Sequence, residues 1–384
     1  MKKPKPKICF VVSSPMTVIA FLSAHLRECS KYFDVYVVAN SINRLFLDDL
    51  NLDVTFHYVK IERKINPFSD LVALFNLLSF LNKENFDIVQ SVTPKAGLLA
   101  MLAAFISCTP IRIHIFTGQV WATEKGLWRF ILKSMDLMIA HCATNILVDS
   151  FSQKSFLLKE NVITVNKTEV LGDGSISGVD LKKFRPNEVI RKNIRTEYKI
   201  PYDDLLLLYL GRLNRDKGII DLVEAFIQLL EKNTKIWLML VGPDEENIEC
   251  EIQKINILNS QRIIRVGFTN NPEQFLASAD IFCLPSYREG FGTSVIEAAA
   301  CGVPSVASRI YGLTDAIEDG ITGLLHPAGK IEDIVAAINI LVMDETLRHK
   351  MGNDARSRIE SKFTQEILTE ALVRFYKQVL GKEK

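Results

Sequence analysis

Two glutamates lie on either side of a glycine-rich turn near residue 290, where their spacing is suited to binding hydroxyl groups. Glu289 precedes a Gly-Phe-Gly turn, and Glu297 follows it in an E-x(7)-E spacing. Gly290 and Gly292 allow a ligand to approach the backbone, and N–H groups at a helix start favour phosphate or sugar oxygens. Two carboxylates there can hold the hydroxyls of a sugar or ribose. The alternative is a surface loop with a capping carboxylate.

A basic turn follows another apolar run, Leu205–Leu210, and precedes a helical pattern. Arg212 and Lys217 stand at the two ends of this turn. A helix N-terminus attracts anions, Arg offers a planar fork to phosphate oxygens, and Lys offers a point charge. The motifs G-x-x-x-x-G-K-[ST] and G-x-G-x-x-G are absent from the sequence, so the turn is neither a P-loop nor a dinucleotide fingerprint. Because basic residues are common on exposed turns, a plain solvated turn stays open as the alternative.

Taken together, the two turns describe a more specific site. Both follow strands of the same half of the chain, where open α/β sheets bind ligands, so we expect both to face an interdomain cleft. Two cations for a diphosphate and two carboxylates for hydroxyl groups suit a nucleotide sugar. The sequence contains no D-x-D pair for a divalent cation. We therefore expect a site without metal, in which Arg212 and Lys217 neutralise the diphosphate.

The elements that position these residues alternate between short apolar runs and helical patterns, which predicts parallel sheets covered by helices. The predicted strands are Ile8–Ser13, Val35–Ala39, Thr55–Val59, Asp87–Ser91, Ile111–Phe116, Asn145–Val148, Thr168–Leu171, Leu205–Leu210, Ile236–Val241, Ile263–Val266, Ile281–Leu284, Ser305–Ala307 and Gly323–Leu325. The clearest predicted helices are Phe68–Leu81, Lys95–Ile106, Gly218–Leu230, Glu245–Leu258, Pro272–Ser278, Gly292–Ala300, Ile331–Val342 and Gln365–Leu380.

This order of elements predicts an α/β protein with two doubly wound, Rossmann-like domains in tandem and a helical C-terminal tail. The turn-rich segment 172–187 indicates the crossing between domains. We therefore expect a first domain over 1–185, a second over 186–362, and a C-terminal helix over 363–384 that could cross back to the first domain.

The G-R-x(4)-K-G turn of Arg212 and Lys217, combined with the E-x(7)-E of Glu289 and Glu297, resembles the retaining GT-B glycosyltransferases of family 4. Three further segments resemble a bacterial subgroup that builds capsule, O-antigen or other exopolysaccharide units. These segments are Thr93–Leu99, Phe116–Gln119 and Gly174–Asp180.

The resemblance implies roles for the two turns. Arg212 and Lys217 would bind the donor diphosphate, Glu289 would hold the transferred sugar at its reacting centre, and Glu297 would hold the ribose hydroxyls. The implied catalytic residues are Arg212, Lys217 and Glu289. The full donor-binding set is Arg212, Lys217, Glu289, Gly290, Phe291, Gly292, Thr293 and Glu297.

The first domain departs from the family pattern at two positions. Many relatives have a Gly-Gly turn after the first strand, where this chain has Ser13–Thr17. Hydroxyls such as those of Ser14 and Thr17 could replace that turn, or the loop could serve the acceptor. His114 lies within a predicted strand rather than after it, which favours a core role. Better placed for acceptor contact are Thr117, Gly118 and Gln119.

The implied activity is transfer of a sugar from a nucleotide-sugar donor, with UDP favoured, to a lipid-linked saccharide acceptor in surface polysaccharide biosynthesis. No cofactor is expected. Two alternatives stay open. One is a nucleotide-sugar 2-epimerase on a similar fold, and the other is a non-catalytic nucleotide-sugar-binding subunit.

Composition sets limits on partners and location. The 384 residues are 48% hydrophobic and carry a net charge of +1, which argues against a nucleic-acid protein relying on bulk charge. Seven scattered cysteines fit a reducing compartment. The chain opens without a secretory signal pattern, and its longest apolar stretch is too short to span a bilayer. We expect a cytoplasmic protein, peripheral on the inner face of the cell membrane.

The expected membrane contact rests on positive charge in the first half of the chain. Residues 1–185 contain 22 Lys and Arg against 16 Asp and Glu, with lysines at 2, 3, 5 and 7. The segment Glu124–Lys133 combines basic and bulky apolar residues at helical spacing and could rest on anionic lipid. The alternative is an ordinary helix that packs Leu127, Phe130 and Ile131 inward and leaves its charges in solvent.

Overall fold

The computed structural model describes residues 4–62, 65–255 and 260–381, and these form two compact units. Unit 1 contains the described residues up to Ser177 and from Gln365 onward, and unit 2 is Gly178–Thr364. The sequence places the divisions at 185/186 and 362/363, a few residues away. The reason is that Val179 N donates to Phe363 O at 2.8 Å, so both connecting segments pair inside unit 2. Lys2 and Lys3 lie outside the described residues.

Unit 1 is built on a seven-stranded sheet in which all neighbouring strands are parallel, in the order β3-β2-β1-β4-β5-β6-β7. The strands are β1 (Lys7–Val11), β2 (Asp34–Ala39), β3 (Thr55–Tyr58), β4 (Ile88–Val92), β5 (Ile111–Phe116), β6 (Asn145–Val148) and β7 (Thr168–Val170). The strand order reverses between β1 and β4, where such sheets form a ligand crevice.

The helices of unit 1 cover both faces of this sheet. They are α1 (Pro15–Thr17), α2 (Ser23–Cys29), α3 (Leu45–Asp48), α4 (Pro67–Glu84), α5 (Pro94–Ile106), α6 (Gly126–Cys142), α7 (Phe151–Lys159) and, from the end of the chain, α16 (Gln365–Val379). A π-helical turn, Val18–Leu22, joins α1 to α2, and 3₁₀ turns lie at Val120–Ala122 and Val165–Lys167. One core contains residues of α4, α5 and α6, and the other contains residues of α2 and α16.

Unit 2 has a six-stranded parallel sheet in the order β10-β9-β8-β11-β12-β13. Its strands are β8 (Leu205–Leu210), β9 (Ile236–Val241), β10 (Ile263–Val266), β11 (Ile281–Leu284), β12 (Ser305–Ser308) and β13 (Gly323–His326). Its helices are α8 (Glu188–Glu197), α9 (Ile219–Leu230), α10 (Ile248–Ile255), α11 (Pro272–Ser278), α12 (Thr293–Ala300), α13 (Leu313–Ala316), α14 (Ile331–Met343) and α15 (Glu345–Lys362). Short 3₁₀ turns lie at Arg215–Lys217 and Ser260–Arg262.

The predicted α/β class with two doubly wound parallel sheets is confirmed. One predicted helix differs, because α10 begins at Ile248 rather than at Glu245. The Asp244 carboxylate accepts hydrogen bonds from the N–H groups of Glu246, Ile248 and Glu249, and therefore holds the preceding residues in a capping turn. Residues 256–258 of the predicted helix lie outside the described residues.

Candidate active site

The two turns singled out in the sequence meet at one edge of the unit 2 sheet. Strands β8 and β11 are hydrogen-bonded neighbours, so the turns that follow them lie side by side. Lys217 Nζ is 2.5 Å from Glu289 Oε1, and both side chains are largely buried. Ser286 Oγ donates to the same Glu289 oxygen at 2.8 Å. The Glu289 carboxylate is therefore held by one charged and one neutral donor.

The backbones of the two turns are also joined. Tyr287 N donates to Asp216 O at 2.8 Å, and Arg288 Nη2 donates to Asp216 Oδ2 at 2.7 Å. Gly218 has a φ of +65°, and a Cβ at that position would come within 2.2 Å of Pro285 O. Only glycine permits this close approach. Lys217 and Glu289 are consequently fixed by the main chain as well as by their own contact.

Arg212 lies in the same turn but has a different partner. Its Nη1 donates to Glu245 Oε2 at 2.7 Å, and its side chain is 41% exposed. The carbonyl of Arg212 accepts a hydrogen bond from the buried Tyr209 hydroxyl at 2.8 Å, which anchors the backbone while the guanidinium stays accessible. Sequence reasoning did not identify Glu245, whose only local signal is its place just after β9.

The glycine turn leads directly into α12. Gly292 has a φ of +81° and occupies the cap position, where a Cβ would come within 2.5 Å of the Leu313 side chain. Phe291 is buried with its ring 5.3 Å from that of Phe363. The side chain of Phe291 is therefore not suited to binding a ligand. Its backbone is, as the resemblance implies. Gly290 and Thr293 on either side are half-buried.

Glu297 lies within α12, and its environment changes its protonation. Burial raises the pKa of this carboxyl to about 8; the nearby Lys183 opposes this rise and Glu273 adds to it. A carboxyl that holds a proton near neutral pH can both donate to and accept from a hydroxyl group. Glu297 is therefore chemically suited to a vicinal diol such as that of a ribose.

In unit 1, the hydroxyl groups that follow β1 have different environments. Ser14 Oγ accepts from Met16 N at 3.2 Å and so caps α1, and Thr17 is buried. Ser13 Oγ lies 3.3 Å from Thr93 Oγ1, which follows β4. The pair of hydroxyls at the reversal point of the sheet is thus Ser13 and Thr93, and Thr93 was not singled out as a site residue.

The loop Thr117–Gln119 after β5 is fixed from beneath by Gln153 of α7. Gln153 Nε2 donates to Thr117 O at 2.7 Å, and its Oε1 accepts from Asp149 N at 2.7 Å. Gln119 is itself buried and donates to Thr117 O at 2.7 Å. Of the three residues proposed for acceptor contact, Thr117 and Gly118 are the half-buried ones that retain an accessible surface.

His114 has the core position that the sequence favoured. It is buried, its Nδ1 lies 2.8 Å from Ser91 Oγ, and its ring packs edge-on against Phe116. Burial lowers the pKa of His114 to about 3, so the ring is neutral at physiological pH. Gly97 provides the space for this ring, since a Cβ there would lie 2.3 Å from it.

The outer face of α6 is apolar. Leu127 is 72% exposed and Phe130 is 69% exposed, so the alternative in which they pack inward is wrong. Arg129 and Lys133 instead contact Glu160, at 2.9 and 2.7 Å. Arg129 and Lys133 of α6 are thus turned toward the protein, whereas Leu127, Trp128 and Phe130 in its N-terminal half face solvent.

Two searches were limited to the described parts of the chain. Over residues 4–62, 65–255 and 260–381, no group of three or more His, Cys, Asp or Glu side chains is placed to hold a metal ion. Over the same ranges, no helix has both the length and the apolar character needed to cross a bilayer.

Comparison with known proteins identifies relatives in both sequence and structure. Residues 190–358 match the family model described as glycosyl transferases group 1. The chain is 33% identical over 91% of its length, and 91% of the relative's, to the capsular polysaccharide biosynthesis glycosyltransferase CapM of Staphylococcus aureus. It is 29% identical, over 87% of its length and 88% of the relative's, to the N,N'-diacetylbacillosaminyl-diphospho-undecaprenol alpha-1,3-N-acetylgalactosaminyltransferase of Campylobacter jejuni. Among solved structures, Anabaena Alr3699/HepE in complex with UDP and glucose aligns with a TM-score of 0.82 at 17% identity, covering 97% of this chain and 100% of that one.

Proposed function

The chain belongs to the group 1 glycosyl transferases, and from this membership we propose that it is a retaining enzyme of surface polysaccharide biosynthesis. It transfers a sugar from a UDP-linked donor to a lipid-linked saccharide. The observation that carries this proposal is the contact between Lys217 and Glu289 at the carboxyl edge of the unit 2 sheet, with Arg212 in the same turn.

The chemistry of this edge fits donor activation. As the bond between sugar and phosphate breaks, negative charge develops on the leaving nucleotide diphosphate. Arg212 and Lys217 supply two fixed positive charges for it, and preorganised charges of this kind lower the barrier to transfer. Because these cations can perform the neutralisation, we propose that the reaction needs no divalent metal.

Glu289 is the residue that we place against the transferred sugar. Its carboxylate is already oriented by Lys217 and Ser286, so it can accept hydrogen bonds from sugar hydroxyls without a large rearrangement. Retention is supported by the E-x(7)-E pattern shared with retaining enzymes. The Campylobacter relative, whose name specifies an alpha linkage, also fits this stereochemistry.

The acceptor is proposed from the same relative, whose name specifies a diphospho-undecaprenol-linked sugar. We assign acceptor contact to unit 1, where Thr117 and Gly118 retain accessible surface and Ser13 faces Thr93. UDP as the nucleotide is supported by the HepE structure, which contains UDP.

A lipid-linked acceptor requires access to a membrane, and unit 1 has an apolar surface suited to it. Helices α4 and α6 both follow strands of one parallel sheet and pack on the same face of it, so their N-terminal halves lie at the carboxyl edge. The apolar surface consists of exposed side chains in those halves: Phe68, Leu71, Val72, Phe75, Leu127, Trp128 and Phe130. We propose that this surface rests in the interfacial region of the bilayer.

Three basic side chains near the apolar surface are paired with carboxylates. Lys95 at the start of α5 contacts Asp70 of α4 at 2.7 Å, while Arg129 and Lys133 contact Glu160. Pairing lowers the cost of bringing these groups near hydrocarbon. From the sequence we expected positive charge to be the main source of membrane affinity. From the structure we propose instead that the main source is the burial of apolar side chains in the membrane.

The test is a transfer assay with the purified full-length chain. UDP-, GDP- and dTDP-sugars are incubated with extracted polyprenyl-diphosphate saccharides, and products are identified by mass and by the configuration of the new linkage. We expect one UDP-sugar to extend the acceptor by one residue with retained configuration. An inverted product would contradict the stereochemical proposal, and a 2-epimer formed without acceptor would favour the epimerase alternative.

A further inference from the structure

Glu245 forms an ion pair with the guanidinium of Arg212, the group that we propose binds the diphosphate. Its Oε2 accepts from Arg212 Nη1 at 2.7 Å and from Asn214 Nδ2 at 3.4 Å. Two donors of the basic turn therefore converge on one carboxylate oxygen. A phosphate oxygen forms the same type of charge-assisted hydrogen bond to a guanidinium.

The position of Glu245 is set by the main chain. Leu213 N donates to Pro243 O at 2.8 Å, and Glu245 N donates to Leu213 O at 3.0 Å, so the loop after β9 is hydrogen-bonded to the basic turn. The capping turn at Asp244 fixes the other side of this loop. Glu245 is thus placed beside Arg212 by its backbone, unlike a surface pair that depends on two free side chains.

We propose that Glu245 is a built-in counter-ion, which the donor's diphosphate displaces from Arg212 and which returns to it when the nucleotide leaves. This inference rests on the proposed function, because it requires a nucleotide diphosphate at Arg212. Its physical basis is competition between two anions for one guanidinium. Glu245 accordingly lowers the affinity for the nucleotide and speeds its release.

The effect is expected to be larger for the product than for the donor. Transfer converts a diphosphate diester into UDP, whose terminal phosphate gains about one negative charge near neutral pH, since its second ionisation has a pKa of about 6. Repulsion from a fixed carboxylate increases with the charge of the ligand. Glu245 should therefore weaken UDP binding more than UDP-sugar binding, and so limit product inhibition.

The experiment compares Glu245→Gln with Glu246→Gln in the full-length chain. Glu246 is the neighbouring carboxylate, but it accepts from Arg215 N and does not contact Arg212. Both variants remove one negative charge at nearly the same place. Dissociation constants for UDP and UDP-glucose are measured by calorimetry at low ionic strength, where charge effects are largest.

We expect Glu245→Gln to bind UDP about three- to tenfold more tightly, to bind UDP-glucose less than threefold more tightly, and to be more strongly inhibited by UDP during transfer. Glu246→Gln should differ from wild type by less than twofold. Unchanged or weaker UDP binding by Glu245→Gln would show that Glu245 only orients Arg212, and would overturn this inference alone. A wild-type chain that binds no UDP would overturn the proposed function as well.

Discussion

Lys217 and Glu289 form an ion pair in the structure, and each holds the other in position for the donor. Their side chains are only 17% and 13% exposed. A donor entering this edge meets a lysine and a carboxylate whose orientations are already fixed, which reduces the ordering that must accompany the reaction.

Replacement of either residue should therefore impair transfer while leaving the fold intact. We expect Lys217→Ala and Glu289→Ala each to lower kcat/KM by about a hundredfold or more, the scale of losing one preorganised transition-state partner. Arg215→Ala is the matched control, because Arg215 is an exposed cation of the same turn and contacts Glu251 instead. Initial rates and circular dichroism are the measurements, and near-wild-type rates in both variants would contradict the site.

Charge neutralisation by side chains also predicts the response to chelation. Transfer should persist at more than about half of its rate in excess EDTA, because Arg212 and Lys217 can neutralise the diphosphate. The assay is repeated after addition of Mg²⁺ or Mn²⁺ to treated protein. Complete loss of activity that either ion restores would refute the metal-free mechanism.

At the scale of single residues, the sequence identified side chains that lie at the carboxyl edge of a sheet, but it did not identify the residues that these side chains contact. The sequence predicted that Glu289 and Lys217 face one cleft because both follow strands of the same half of the chain, and the structure shows that these two strands are neighbours. Glu245 follows β9, and its contact with Arg212 depends on the short backbone ladder through Leu213, which has no signature in residue types. Ser13 and Thr93 are paired for a similar reason, since strand order rather than chain order brings β1 beside β4.

Among the helices and strands, α6 is an example of a helix whose exposed face depends on a residue distant in the sequence. Its sequence allows either its basic or its apolar side chains to face solvent. Glu160, which follows α7, draws Arg129 and Lys133 inward, and both lie over the ring of Trp121. That contact spans about thirty residues of chain, so helical periodicity alone could not reveal it. The buried strands, by contrast, were predictable because continuous apolar runs indicate strands covered on both faces.

The orientation of α6 predicts how the protein should bind vesicles. Wild type should cosediment with anionic vesicles at low salt and retain most of this binding at high salt, because each large apolar side chain that leaves water contributes up to about 1.5–3 kcal/mol. Replacing Leu127, Trp128 and Phe130 by Ser should lower the bound fraction severalfold at both salt concentrations. Transfer to a short soluble acceptor should be largely unchanged.

Met343→Ser provides the control for that experiment, since Met343 is 72% exposed but belongs to α14 of unit 2. Binding that disappears at high salt, or that survives the triple replacement, would contradict an apolar contact. In the first case, the charge-based contact expected from the sequence would be favoured instead.

Across the whole molecule, carboxyl groups whose pKa values are raised in the fold should make stability vary with pH. Burial raises the pKa of Asp136 to about 7, and the pKa values of Asp149 and Glu297 to about 8. In the unfolded chain such groups ionise near pH 4. The unfolded state therefore releases these protons first, and the free energy of unfolding should decrease as pH rises from about 4 to about 8.

Asp149→Asn tests this dependence, because Asp149 is buried and its Oδ1 has no hydrogen-bond partner among the residues that the structure describes. As pH rises, the unfolded chain releases the proton of this carboxyl before the folded chain does, whereas an amide has no such proton to release. The melting temperature of Asp149→Asn minus that of wild type should therefore be several degrees higher at pH 9 than at pH 5. The exposed Asp53→Asn should show no such trend. A difference that is the same at both pH values would rule out Asp149 as a source of the dependence.

Helix α16 follows unit 2 in the chain but belongs to unit 1, so synthesis of unit 1 begins before that of unit 2 and ends after it. Unit 2 is one continuous stretch, so a ribosome has delivered all of it once Thr364 is made. Unit 1 is begun first, yet part of its core consists of Leu368, Leu372, Phe375 and Tyr376 at the end of the chain. Until α16 is made, Phe10 and Phe33 lack the ring of Tyr376, which packs edge-on against both. The N-terminal unit is thus completed last, and a chain truncated after Thr364 would contain all of unit 2 attached to a unit 1 that lacks α16 and is open to recognition by chaperones and proteases.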